Sequence, residues 1–456
     1  MPSSSPSLPQ ELIIEIMNRL DSHSILQMAL TCRCFYAIFQ STPIRYVYEL
    51  GMNSLQDAGS GMPTDELLVL LRDRQKAWAT LEWKSLTTVK VPPSRENFKR
   101  SAGVLARLDR DELLSSIYHL PPNLAPGSGR SDGILWRVNS ASIFTAARSR
   151  RTKSIPTQLR PASLTHLLSS QPRILLVDNV LALCVENIDL IRLWNWTTDL
   201  LLFDSFNHVL RDYQRDLRSF EFLRRDAFIV TSETESGQIL VYRFSPTTPG
   251  IPVHVASFGL PPTAPSFSPG VYLRLGQFQP RSTPGMLFTH LPESRVLCFV
   301  LAYPYRMYSL YVCNSTFLMY VDNSGAGASG VQDVPWEVWG EKESRFMEGD
   351  FANASCLDAH GSRVIYGFSD KSRIEVLDFS SIQPCFASPI GRQYGSSNPT
   401  IVSYKEVFIQ DVVTRLPYWV VSRAMEEESF NRNYMIMIDE EHIIALDTSD
   451  IRVYSF

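Results

Sequence analysis

The sequence is short of cysteine, of histidine clusters and of any excess of one charge. Seven cysteines in 456 residues are too few for a disulfide scaffold, and an odd number cannot pair completely. Cys32 and Cys34 are close together, but no second pair completes a zinc spacing. The eight histidines are scattered, and none stands beside a nucleophile and a carboxylate in a recognisable spacing. Forty-three basic against forty-seven acidic residues give a formal charge of -4. No polycationic field is present to drive nucleic-acid binding by counterion release. Long apolar runs are also missing. The most apolar window, Arg295 to Cys313, contains Arg295, Pro304 and Arg306, which a lipid span of roughly 20 residues does not tolerate. The Ser/Pro leader, residues 1–7, has neither the basic cap nor the apolar stretch of a secretory signal. Triplets for N-glycosylation at Asn195, Asn314 and Asn353 therefore carry no weight. The expectation is a soluble, thiol-reduced protein of the cytoplasm or nucleus that uses no cofactor, metal, membrane or nucleic acid.

Helical patterning fills the chain from Leu8 to about Trp83. Leu12, Ile13, Ile16, Met17 and Leu20 are spaced so that all five fall on one stripe of a helix starting near Pro9, a residue suited to a first turn. Asp21 and Ser24 offer caps for a second short helix carrying Ile25, Leu26, Ala29 and Leu30. A third run, Phe35, Tyr36, Ile38 and Phe39, stops before Ser41-Thr42-Pro43. Units below about 40 residues seldom bury enough surface to stand alone. Three such helices hold more apolar side chains than they can hide, and this points to a partner. A further helix opens at Thr64-Asp65-Glu66, with Leu67, Leu71, Trp78 and Leu81 on its buried stripe. It reads as a rigid spacer.

Beyond Trp83, runs of four to eight apolar residues alternate with Gly, Pro, Ser, Asn and Asp. They begin at Thr87 to Val91 and include Ile134 to Val138, Thr316 to Val321 and Val402 to Ile409. Roughly twenty short strands predict an all-β domain over 86–456. Four of the strands look alike: Leu190 to Trp196, Ile239 to Phe244, Ile374 to Phe379 and Ile451 to Phe456. Each alternates apolar residues and closes on an aromatic, as the third strand of a WD-type propeller blade does. Their unequal intervals suit a degenerate repeat with a hidden blade near Ser309 to Asn314. The expected fold is a small all-α module followed by a degenerate β-propeller of about seven blades. A pair of β-sandwiches is the competing architecture.

The helical pattern carries a resemblance. Leu8-Pro9-x-Glu11-Leu12, Ile16, Leu20-Asp21, Ile25-Leu26, Ala29 and Thr31-Cys32-Arg33-x-Phe35-Tyr36 resemble an F-box, with Thr31 in place of the usual valine. The continuation, Arg45-Tyr46-x-x-Glu49-Leu50 and then Trp78 to Trp83, is similar to a pattern common in F-box proteins of mushroom-forming fungi. The resemblance divides the chain into the leader, an F-box at 8–47, a helical linker at 48–85 and the β domain. It implies docking on the Skp-type adaptor of an SCF, or cullin-RING, ubiquitin ligase. Leu8, Pro9, Leu12, Ile13, Ile16, Leu20, Leu26 and Phe35 would make the contact. The β domain would hold an unknown protein substrate, and other subunits would transfer ubiquitin.

Motifs of catalysis do not hold up against their context. Gly129 to Gly133 spells the Gly-x-Ser-x-Gly of a nucleophile elbow, but proline precedes it and a strand pattern follows. Gly325 to Gly330 spells a dinucleotide fingerprint, but the stretch from Val331 to Trp339 contains Pro335 and predicts no helix to face a pyrophosphate. Cys184, Cys298 and Cys313 lie in apolar runs, where buried thiols are expected. The basic cluster Arg148 to Lys153 suits either a solvated loop or an import signal. Two alternatives to a substrate receptor stay open. One is a propeller enzyme with a helical cap, drawing on carboxylates such as Asp178, Glu186, Asp358 and Asp439. The other is an F-box scaffold outside any ligase.

Overall fold

The computed structural model describes residues 8–90, 97–101, 104–108, 116–119, 173–185, 190–205, 217–233, 237–264, 267, 269–274, 286–303, 306–324, 330–349, 357–367, 373–380, 391–424, 435–446 and 450–456. The leader 1–7, the motif at 129–133, the strand expected at 134–138, the basic cluster at 148–153, Glu186, Asn353 and all but the last glycine of 325–330 lie outside them.

Helix α1 (Gln10–Met17) starts directly after Pro9. Helix α2 (Ser22–Thr31) is capped by Asp21, whose carboxylate accepts from the Ser24 N–H at 2.9 Å. That bond holds the Asp21 carboxyl below its ordinary range. Helix α3 (Arg33–Phe39) is capped by sulfur, the Phe35 N–H donating to Cys32 Sγ at 3.4 Å. Helix α4 (Thr42–Met52), with Pro43 in its first turn, completes the bundle. Ile13, Met17, Ile25, Ala29, Ile38, Phe39 and Ile44 form its core. After a short strand, Leu55–Asp57, comes the long helix α5 (Thr64–Thr80).

Five sheets of four or five strands follow. Blade I consists of Arg173–Val177, Val180–Val185, Leu190–Asn195 and Leu200–Asp204. Blade II consists of Leu217–Arg224, Ala227–Ser232, Gln238–Arg243 and Val253–Gly259, with Gln332–Val334 added in parallel at its outer edge. Blade III consists of Gly270–Arg274, Val296–Tyr303, Arg306–Cys313 and Ser344–Gly349. Blade IV consists of Leu357–His360, Arg363–Gly367, Arg373–Asp378, Tyr418–Ala424 and Gly391–Ser396. Blade V joins the last three strands, Met435–Ile438, His442–Leu446 and Asp450–Ser455, to Ser85–Lys90. First strands of successive blades touch between I and II, II and III, and IV and V, and the second strand of blade III touches the first of blade IV, so the blades are arranged radially. Separate apolar cores fill the spaces between I and II, II and III, III and IV, and IV and V.

The arrangement is propeller-like, but the described residues form five blades where about seven are expected from strand number. Three things use up the surplus strands. Blades II and IV each take a fifth strand. Short strands pair outside the blades, Leu55–Asp57 with Phe288–His290 and Thr400–Val402 with Val412–Thr414. A further sheet, over Asn97–Ser101, Val104–Leu108 and Ser116–His119, has only three strands. In addition, the strand expected at Thr316 to Val321 is helix α6 (Asn314–Asn323), which turns Phe317 and Val321 into the core. The helix excluded after Pro335 exists as α7 (Trp336–Glu343), with proline as its N-cap residue. The strand expected over Val402 to Ile409 stops at Val402.

Blade IV opens with the tight turn His360-Gly361-Ser362, where Gly361 has φ of +56°. A Cβ there would run into the His290 ring. Gly361→Ala combines left-handed backbone with a clash against a buried ring, so a loss of about 1–3 kcal/mol is expected. Chemical denaturation measures it.

Candidate interaction site

Helix α1 divides its apolar residues between two faces. Ile13 and Met17 point into the bundle, whereas Leu8, Leu12 and Ile16 remain 58%, 50% and 42% exposed. Spacing of four residues places Leu12 and Ile16 on one stripe of α1, and Leu8 lies just before the helix begins. Pro9 is exposed beside them. Leu20, Leu26 and Phe35 are half-buried at the edge of the core. Of the residues expected to dock, Ile13 alone is fully inside the bundle, so it supports the face from behind. Two exposed residues absent from that expectation are Leu30 on α2 and Tyr36 on α3. Leu30 lies on the apolar stripe of α2, so its position was visible in the sequence.

The route from this face to the β domain is built from charge clamps on one helix. Arg72 of α5 reaches back to Glu49 of α4, donating from Nη2 to Oε1 at 2.6 Å. Arg45 donates to the same carboxylate at 2.8 Å and lies over the Phe39 and Tyr48 rings. These partners hold Glu49 below its ordinary carboxyl range although burial opposes them. Two residues on, roughly 200° around the helix, Arg74 reaches forward. Its Nη2 donates to the Glu440 backbone carbonyl at 2.6 Å and stands 3.4 Å from the Glu440 carboxylate. Tyr46 donates to Asp57 at 2.8 Å. The strand holding Asp57 pairs with Phe288–His290, which leads into blade III.

Glu440 is the centre of the joint. It is buried, and its Oε1 accepts from the His290 N–H at 3.0 Å and the Thr289 hydroxyl at 3.3 Å. His360 Nε2 is 3.2 Å from the same oxygen and His290 Nε2 is 3.4 Å from the other. Further along α5, Trp78 stacks on Phe456 at 4.1 Å, with the Arg363 guanidinium 4.3 Å from its ring centre. Arg423 donates to the Leu81 carbonyl and covers the Trp83 ring. Ala77, Trp78 and Leu81 belong to the same core as blades IV and V.

Burial pushes the His290 imidazole down to about 3, with Arg363, Arg74 and His360 acting in the same direction against the pull of Glu440. Burial alone would raise the Glu440 carboxyl, but His360 and Arg74 hold it well below its ordinary value. Between pH about 3 and the ordinary 6.5 the unfolded chain binds the His290 proton and the folded chain does not. Stability from this group is therefore complete above pH 6.5 and falls as the pH drops, by up to about 1.4 kcal/mol per unit. Urea midpoints are expected to fall from pH 7 to 4.5, with a shallower fall in His290→Gln; equal slopes contradict this.

Two of the carboxylates considered for catalysis, Asp358 and Asp439, accept from backbone N–H groups. Asp358 accepts from the Ala359 and Ile438 N–H groups. Asp439 accepts from the Glu441 and His442 N–H groups and contacts the His442 ring. Asp178 lies in the tight turn of blade I. Among the described residues no group of three His, Cys, Asp or Glu side chains could hold a metal. None of their helices is long and apolar enough to cross a membrane. Cys184 and Cys298 are buried as expected, Cys313 is only half-buried, and Cys32 and Cys34 are exposed.

Fold and face define the class: a helical interaction module joined to a propeller-like β domain. The module is an F-box domain, whose family model matches residues 5–46. No curated protein matches the chain. Among solved structures it is similar to the WD40 domain of Toxoplasma gondii coronin, at 10% identity over 81% of this chain and 68% of that one, with a TM-score of 0.31. It is also similar to Kluyvelomyces marxianus Hsv2, at 10% identity over 64% and 67%, with a TM-score of 0.27. A third is a nidogen/laminin complex, at 13% identity over 64% and 76%, with a TM-score of 0.26. The blade architecture rests on the sheets themselves.

Proposed function

We propose that this chain is the substrate-recognition subunit of an SCF-type cullin-RING ubiquitin ligase, acting in the cytoplasm or nucleus. The F-box domain would bind a Skp-type adaptor and, through it, the cullin and RING subunits. The β domain would hold a protein substrate. Ubiquitin transfer would belong to the other subunits, and this chain would contribute proximity, which raises the effective concentration of a target lysine.

The observation that carries this reading is the exposed stripe of Leu12 and Ile16 on α1, with exposed Leu8 just before it. Fully burying such a side chain contributes about 1.5–3 kcal/mol. Each is about half covered already, so an adaptor gains roughly 1 kcal/mol from each. Association costs about 4–15 kcal/mol, so the rim of Leu20, Leu26, Leu30, Phe35 and Tyr36 must also take part. Purification of the tagged chain from cells expressing adaptor, cullin and RING subunits tests the reading. The expected fraction contains all three. Adaptor without cullin would place the chain outside a ligase, and absence of adaptor would overturn the assignment.

A further inference from the structure

The helical arm occupies one side of the ring. Arg74 meets the turn between the first two strands of blade V, and Trp78 packs on Phe456 where the third strand of that blade ends. In antiparallel blades these two places lie on the same side. The opposite side therefore carries the start of every third strand and the end of every fourth.

Blade II has a small cleft on that opposite side. It is lined by Gly237 and Gln238 at the start of the third strand, Gly259 and Leu260 at the end of the fourth, and Pro262, Pro335, Trp336 and Glu337. Its volume is about 180 Å³, below the roughly 300–1,000 Å³ of sites for drug-sized ligands, so it suits a single side chain. The walls are held in place. Trp339 Nε1 donates to the Gly259 carbonyl at 3.0 Å, pinning α7, and the Ile409 N–H donates to the Pro262 carbonyl at 3.1 Å. Gly237 has φ of +86°, and a Cβ there would meet Leu260, Pro269 and Val271.

Two further features indicate what the cleft would take. Strand Gln332–Val334 pairs on one side with Ala256 to Phe258 and, among the described residues, ends the sheet on the other, an edge that another strand could extend. The exposed charges on this strand and α7 are mainly acidic. Asp333, Glu337 and Glu343 stand against Lys342, while Glu341 is bound to Arg415 at 2.6 Å. Exposed Ile409 adds an apolar surface next to Pro262.

We propose that this cleft and the adjoining strand edge bind an extended basic segment of a protein partner. The segment adds to Gln332–Val334 by main-chain hydrogen bonds. A lysine or arginine stem lies on Leu260, Pro262 and Pro335, and its cation meets Glu337. Long basic side chains divide in this way between apolar and charged surroundings. The inference rests on the reading that the β domain receives a substrate, and it names the chemistry of that substrate.

Fluorescence anisotropy with the full chain tests it, using a labelled peptide of alternating valine and lysine. Binding to the wild type is expected, with at least a tenfold loss in Glu337→Lys/Asp333→Lys, whose sites are exposed and whose thermal melt checks folding. A peptide with proline at the valine positions is expected to fail because it lacks strand donors. Equal binding by wild type and the double variant, equal binding of the proline peptide, or no binding to the wild type overturns the proposal. Adaptor binding is measured on the same preparations. Loss there with peptide binding intact rejects the receptor reading alone, and retained adaptor binding without peptide binding rejects the cleft alone.

Discussion

Glu440→Gln is expected to destabilise the protein by about 3–5 kcal/mol, the usual cost of removing one member of a buried ion pair. The side chain keeps its size, so the loss is electrostatic. Arg74 and Arg363 lie buried near one another, and of the carboxylates that act on Arg74, which include Glu441 and Asp378, Glu440 is the one in contact with it. Without its charge, Arg74 is left desolvated and the Thr289 and His290 donors meet a weaker acceptor. The double replacement Arg74→Met/Glu440→Leu removes both charges together and is expected to recover much of the loss. Urea unfolding followed by far-UV circular dichroism measures both. A cost below about 1 kcal/mol for Glu440→Gln would show that the joint does not depend on this pair.

Leu12→Asp/Ile16→Asp is expected to weaken adaptor binding at least a thousandfold while leaving the unfolding midpoint within experimental error. Both positions face solvent in the free chain, so a carboxylate there stays hydrated and costs the fold little. In the complex each carboxylate is buried against apolar surface at about 2 kcal/mol or more, and two such penalties amount to about three decades in Kd. Ile13→Asp separates the two effects. Ile13 is in the bundle core, so that variant is expected to unfold the F-box domain itself. Equal behaviour of the Leu12/Ile16 and Ile13 variants would mean that α1 has no outward face.

Local pattern carried much of this architecture. The four look-alike strands at Leu190, Ile239, Ile374 and Ile451 are the third strands of blades I, II, IV and V, and Arg306–Cys313 is the third strand of the blade hidden between them. Third strands lie between two neighbours and bury most of their length, which keeps their alternation regular. Blade number was not legible. A fifth strand at a blade edge and a two-stranded pairing outside the ring have the same period-two pattern as blade strands. The helix at Asn314–Asn323 has a strand-like sequence in part, because Thr316, Phe317, Tyr320 and Val321 are β-prone, and packing overrides propensity. The joint was beyond reach for another reason. Arg74 and Glu440 are 366 positions apart, and no local spacing announces a contact made only when α5 lies across blade V. The surplus of apolar side chains in the first three helices is legible, but their spacing suggests a single stripe for Leu12, Ile13, Ile16, Met17 and Leu20, whereas packing buries Ile13 and Met17 and leaves Leu12 and Ile16 outside.

Titration of a purified Skp-type adaptor into the full-length chain, followed by isothermal calorimetry, tests the central claim directly. One adaptor per chain, a submicromolar Kd and the negative heat-capacity change of apolar burial are expected, and all three should vanish in Leu12→Asp/Ile16→Asp. A folded wild-type chain that gives no heat and no complex, or a double variant that binds as tightly as the wild type, would contradict it.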